Sequence, residues 1–189
     1  MKDMLYLMTA KICHDLATPL SAMGMGLEAV EETEITKIIK QSLEASIFKL
    51  KFYRDFLNHS MEGPLVSDFV PLLNEYAKQH QVQITWPSFL TCEGDKARIL
   101  MGLVYMMIES LARGGTVLVR EKEEDYTLVS EGEVCRLRDD YKDVLQKNLG
   151  NHFNARSVMP YFLKSLAKEI RHDISLASEH PLTLHFFKK

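Results

Sequence analysis

Apolar residues in the first third of the chain recur at steps of three and four. Leu5, Met8, Ile12, Leu16, Leu20, Met23, Leu27 and Val30 line one side of a helix running to about Glu31. Glu31-Glu32-Thr33-Glu34 reads as a tight connection with Thr33 as N-cap, because acidic groups at a helix start suit its dipole. A second helix is expected from Ile35 to about Asn58. It carries Ile35, Ile39, Leu43, Ile47, Leu50, Tyr53 and Leu57 on one side and Ala45, Phe48, Phe52 and Phe56 on another. A single hairpin cannot bury both stripes. The first is expected to pack on the first helix and, in a homodimer, to close a four-helix bundle, which leaves the aromatic side for the rest of the chain.

The helical period stops at Asn58-His59-Ser60-Met61-Glu62-Gly63-Pro64, where turn formers gather, so two domains are expected, residues 1–62 and 63–189. The second has an α+β texture. Asp68 to His80 reads as a helix, Val82 to Trp86 as a strand, and Asp95 to Arg113 as a very apolar helix ended by Gly114-Gly115. Thr116 to Arg120 and Tyr126 to Ser130 look like a hairpin joined by the charged run Glu121 to Asp125. Helices over Arg138 to Leu149 and Ala155 to Arg171 and strands over Ile174 to Ala177 and Leu182 to Phe187 complete the expected fold: a helical hairpin followed by an α/β sandwich.

One histidine does not fit the helical pattern. At roughly 100° per residue His14 points away from the apolar stripe of its helix, with Asp15 beside it and Pro19 five positions on. A proline inside a helix deletes a hydrogen bond at a cost of about 3 kcal/mol. Helix packing asks for neither feature. A neutral imidazole can attack phosphorus through one ring nitrogen while a carboxylate orients the other. Lys11, Ala17, Thr18, Ser21, Ala22 and Met25 share the His14 side and are small or flexible, so a partner helix could approach there. Gly24 and Gly26 mark close packing or docking.

Composition narrows the alternatives. The chain has 189 residues, 46% of them hydrophobic, enough to fill a core without staples. Cys13, Cys92 and Cys135 are odd in number and lack metal-type spacing, which suits a reducing cytosol. Cys13 and His14 diverge on their helix and cannot form a nucleophile–base pair. The remaining histidines, His59, His80, His152, His172, His180 and His185, show no ligand spacing. No apolar run reaches a membrane span of roughly 18 residues, and no signal pattern is seen, so a cytoplasmic location without membrane contact is expected. A net charge of −3 argues against general nucleic-acid binding.

His14-Asp15-Leu16-Ala17-Thr18-Pro19-Leu20 closely resembles the phosphoacceptor helix of two-component histidine kinases and phosphotransferases. The order of elements after residue 63 is similar to the ATP-binding domain of those kinases. Its ligands are not there. The family's long apolar helix carries asparagines for magnesium and phosphate, whereas this chain has Tyr105 and Glu109 at the aligned positions. The family's Asp-x-Gly-x-Gly turn is replaced by Ser130-Glu131-Gly132-Glu133, and the glycine-rich lid is missing. A phosphoacceptor hairpin joined to a kinase-like domain stripped of ATP ligands resembles the ChpT-type histidine phosphotransferases.

That resemblance implies a dimeric phosphorelay intermediate that moves a phosphoryl group between receiver-domain aspartates through His14, with Asp15 as its orienting base. It implies receiver domains of a hybrid histidine kinase and of response regulators as partners, no cofactor or metal held by this chain, and Mg2+ on the receiver. Lys37, Lys40, Lys49, Lys51 and Arg54 are read as a basic wall that would steer an acidic receiver pocket, or as a solvated face. Two other functions fit the same residues: an autophosphorylating histidine kinase, and a non-catalytic dimeric adaptor.

Overall fold

In a computed structural model, residues 2–57, 65–90, 92–146 and 157–189 are described; in the first helix this covers the side chains of residue 9 and of residues 12 onward. The chain divides into two compact units, Met1–Glu62 and Gly63–Lys189. The first is an antiparallel pair, α1 (Lys2–Glu28) and α2 (Glu34–Leu57). Thr33 caps α2 as its sequence suggests. The Thr36 N–H donates to Thr33 Oγ1 at 3.1 Å, and the Thr33 N–H donates back to Thr36 Oγ1 at 2.7 Å. This is a capping box with threonine in the place of glutamate, and a cap of this kind is worth about 1 kcal/mol.

The apolar stripe expected to join the two helices is split. Gly24 faces Leu43, whose Cδ2 lies 3.5 Å from the position of a Cβ on Gly24, and this contact sets the register. The less exposed residues of α1 are then Cys13, Ala17, Leu20, Gly24 and Leu27, opposite Leu43, Ile47 and Leu50. Ile12, Leu16, Met23 and Val30 stay 49–59% exposed, and Ile35 and Ile39 are also exposed, at 70% and 47%. Cys13, Ala17, Leu20, Gly24 and Leu27 thus line the α1 side of the seam, and Ile12, Leu16 and Met23 each stand one position before a seam residue, on surface that the pairing of these two helices leaves open. The aromatic stripe is buried, with Phe48, Phe52 and Phe56 in successive ring contacts at 5.9 and 5.4 Å.

The second unit is α+β: α3 (Val66–Gln79), β1 (Val82–Thr85), α4 (Gly94–Glu109), β2 (Gly115–Lys122), β3 (Asp125–Glu131), α5 (Asp139–Gln146), α6 (Val158–Glu169), β4 (His172–Glu179) and β5 (Leu182–Lys188). The sheet order is β1-β2-β3-β5-β4. β1 and β2, joined through α4, run parallel, and the other neighbours are antiparallel. Alternation places Val117, Val119, Tyr126, Leu128, Leu182, Leu184 and Phe186 on the face covered by helices, which gives two layers around one core.

α4 is the centre of that core, buried on every side from Ala97 to Ile108. It ends at Glu109, short of the expected Arg113. The reason is a competing pairing: the Ser110 hydroxyl donates to the Met107 carbonyl at 2.6 Å, and the chain then runs beside residues 134–136. The Arg136 N–H donates to the Ser110 carbonyl at 2.8 Å and the Ala112 N–H to the Val134 carbonyl at 3.1 Å. The hairpin β2–β3 is longer than expected because Glu121 and Lys122 pair with Tyr126 and Asp125, which leaves Glu123-Glu124 as the turn. The ends expected at Asn58, Leu149 and Ala155 lie outside the described residues. No helix among the described residues is long and apolar enough to cross a membrane.

Candidate functional site

α1 continues through Pro19, which donates no N–H to the Asp15 carbonyl. One turn earlier the Thr18 hydroxyl donates to the His14 carbonyl at 3.3 Å. His14 is 79% exposed, and its Nδ1 lies 3.5 Å from Oδ1 of Asp15, itself 53% exposed. In the tautomer that this carboxylate favours, Nδ1 carries the proton and the Nε2 lone pair is the one left for attack. The arrangement provides an accessible nitrogen nucleophile beside a carboxylate that can stabilise the positive charge growing on the ring as Nε2 forms a bond.

The seam fixes what shares this flank. His14, Thr18, Ser21 and Met25 each follow a seam residue of α1 by one position, and Ala22 lies one turn after Thr18, so they form one side of the hairpin. Thr18, Ser21, Ala22 and Met25 are exposed there. The side chain of Lys11 lies outside the described residues. Cys13 is buried in the seam, at 6% exposure, and burial pushes its thiol pKa up, with Arg54 opposing that rise.

The five basic residues of α2 do not form one wall. Lys49 stands on the flank opposite His14, and Lys37 and Lys40 stand near the hairpin tip, Lys37 paired with Glu34 at 3.1 Å. Lys51 and Arg54 are the ones at the level of His14. Reading Tyr53 as part of the inner stripe hid this. The three-and-four step from Leu43 through Ile47 and Leu50 leads to Arg54, and that count was available in the sequence.

In the second unit, Tyr105 is buried and its ring stacks on Tyr76 at 5.6 Å between centroids. The Tyr76 hydroxyl donates to Glu109. Gly132 lies against backbone: a Cβ there would come within 2.5 Å of the Gly114 carbonyl oxygen, so the position admits glycine alone for packing reasons internal to the fold.

A helical hairpin with an outward imidazole, followed by a two-layer α+β unit, defines the class of histidine phosphotransferases. The family described as histidine phosphotransferase C-terminal domain matches residues 66–181, and the chain belongs to this family. Its activity is that of a phosphorelay histidine phosphotransferase. The chain is similar to the protein phosphotransferase ChpT of Brucella abortus (strain 2308), with 24% identity over 187 residues, 92% of this chain and 90% of that one. It also shares a fold with a bacterial phosphotransferase of known structure, at a TM-score of 0.70 and 21% identity, covering 98% of this chain and 94% of that one.

Proposed function

We propose that His14 is the phosphoacceptor and that the chain relays phosphate between receiver-domain aspartates. The observation that carries this is the His14–Asp15 pair: an imidazole 79% exposed with a carboxylate 3.5 Å from Nδ1. Nε2 attacks the phosphorus of a receiver's aspartyl phosphate in line. The N–P bond forms as the P–O bond breaks, and the electron pair returns to the receiver carboxylate, where Mg2+ balances the charge. Asp15 holds the Nδ1 proton in place throughout, and attack by a second receiver's carboxylate reverses the step. Thr18, Ser21, Ala22, Met25 and Lys11 form the surface on which the receiver's helix lies.

The hairpin works as a dimer. Ile12, Leu16 and Met23 on α1 and Tyr53 on α2 each precede a seam position, and Ile39 lies one turn before Leu43 on the same side, so they form one apolar face on the flank opposite His14. A second copy related by a two-fold axis would bury that face in a four-helix bundle and leave both imidazoles outward. The second unit does not supply phosphate from ATP. Tyr105 and Glu109 are engaged with Tyr76, and the segment after Ser130 is paired to residues 110–112. A triphosphate cradle needs unpaired N–H groups at such a turn.

The test is incubation with a purified phosphorylated receiver and Mg2+. Label that is acid-labile, appears on this chain and is lost in His14→Ala supports the relay; label that persists in that variant refutes it. Labelled ATP and Mg2+ alone should give no phosphohistidine, and label under those conditions would make the protein a kinase. An adaptor role predicts that His14→Ala retains all biological activity.

A further inference from the structure

The seam holds a charged residue where its neighbours are apolar. Cys13 stands about three turns before Gly24 on α1, and Arg54 stands about three turns after Leu43 on α2. The Gly24–Leu43 contact therefore places Arg54 opposite Cys13. In an antiparallel pair the residue after each seam position falls on the same flank from both helices, so Asp55 lies on the flank of His14. The Asp55 carboxylate accepts a hydrogen bond from Arg54 Nε at 2.7 Å, which turns the guanidinium toward that flank. The side chain of Arg54 is 51% exposed and that of Asp55 is 32% exposed. The electrostatic interaction of Arg54 with Cys13, the residue before His14, agrees with this placement.

We propose that Arg54 is the phosphoryl-binding residue of the site, its Nη groups donating to the oxygens of the phosphoryl group carried on His14 Nε2. This rests on His14 as acceptor. The chemistry favours such a partner. Transfer turns the receiver's acyl phosphate into an N–P phosphoramidate whose oxygens leave the receiver's Mg2+ when the two proteins part, and a planar guanidinium is suited to accept that charge through paired N–H donors. Asp55 binds Nε, on the edge of the guanidinium, and so leaves the Nη side of the fork to the phosphate. Arg54 thus acts on the lifetime of the phosphohistidine and on the rate of its formation, independently of which receiver docks.

The experiment uses potassium phosphoramidate, which phosphorylates histidine with no receiver present. The parent, His14→Ala, Arg54→Met and Arg54→Lys are treated in parallel and followed by phosphorus NMR, with circular dichroism and sedimentation to compare folding and assembly. Arg54→Met keeps the apolar stem in the seam. The expected result is phosphohistidine that forms or persists about tenfold less well in Arg54→Met and is partly restored in Arg54→Lys. Equal rates in the parent and Arg54→Met overturn the role of Arg54 and leave His14 as acceptor. A parent that takes no label, or label that survives His14→Ala, overturns His14 and Arg54 together. The parent alone gives a second measurement: the phosphoryl group should titrate at lower pH than in a phosphohistidine peptide, and equal titration rejects the proposal even if Arg54→Met does not fold.

Discussion

The two units use apolar residues in opposite ways. In the second, α4 is enclosed from Ala97 to Ile108, and the helix-covered face of the sheet is filled by Val117, Leu128, Leu184 and Phe186. In the hairpin, Ile12, Leu16, Met23, Ile35 and Ile39 are about half exposed or more, and the imidazole of His14 is exposed on another flank. The α/β unit encloses its own core, whereas the hairpin retains apolar surface that the packing of its two helices does not cover. Similar periodicity in the two regions thus has different meanings, set by what stands opposite each stripe.

The largest effect that tests this contrast is in the core. Leu103 is wholly buried, so Leu103→Ala should cost about 3 kcal/mol in urea denaturation of the second unit. A loss below about 1 kcal/mol would mean that α4 is not the centre of that core. A charge on the exposed stripe should act on assembly instead. Ile39→Asp should leave helicity unchanged and convert a sedimenting dimer to a monomer; a parent already monomeric at micromolar concentration would remove the four-helix bundle.

Asp15→Asn comes next, with transfer from a phosphorylated receiver expected to slow about tenfold at unchanged receiver affinity. Equal rates in variant and parent would take Asp15 out of the mechanism. The smallest effect is one of pH. Burial pushes the Cys92 thiol from 9.0 up to about 11, and burial also raises the neighbouring Tyr126 hydroxyl. A folded-state pKa above the ordinary value gives stability that is whole below pH 9 and is lost as pH rises through about 11. Urea midpoints near pH 8 and pH 10.5 should show that fall, and Cys92→Ala should reduce it.

Much of the fold was legible because local signals agreed with the tertiary result. Thr33 caps α2, the boundary region near residue 58 separates two textures, and the elements of the second unit occur in the expected order. The misjudged end of α4 has a local cause. Ser110 to Ala112 are helix-compatible in isolation, and only pairing with residues 134–136 removes them from the helix. Likewise Gly132 stands where the kinases have their nucleotide turn, and the backbone of Gly114 explains the glycine.

The sequence by itself determined that His14 lies on a wet helix face with an acid beside it, because helical angle and residue type suffice for that. It also determined a second stripe of aromatics on α2, since periodicity is a local property. Tertiary structure alone decided which stripe becomes the seam. Helix packing selects the residues that let two backbones approach, here Cys13, Ala17 and Gly24, over the larger apolar residues one position away. That choice set Arg54 opposite Cys13 and left Ile12, Leu16 and Met23 outside, because register is a property of two helices in contact.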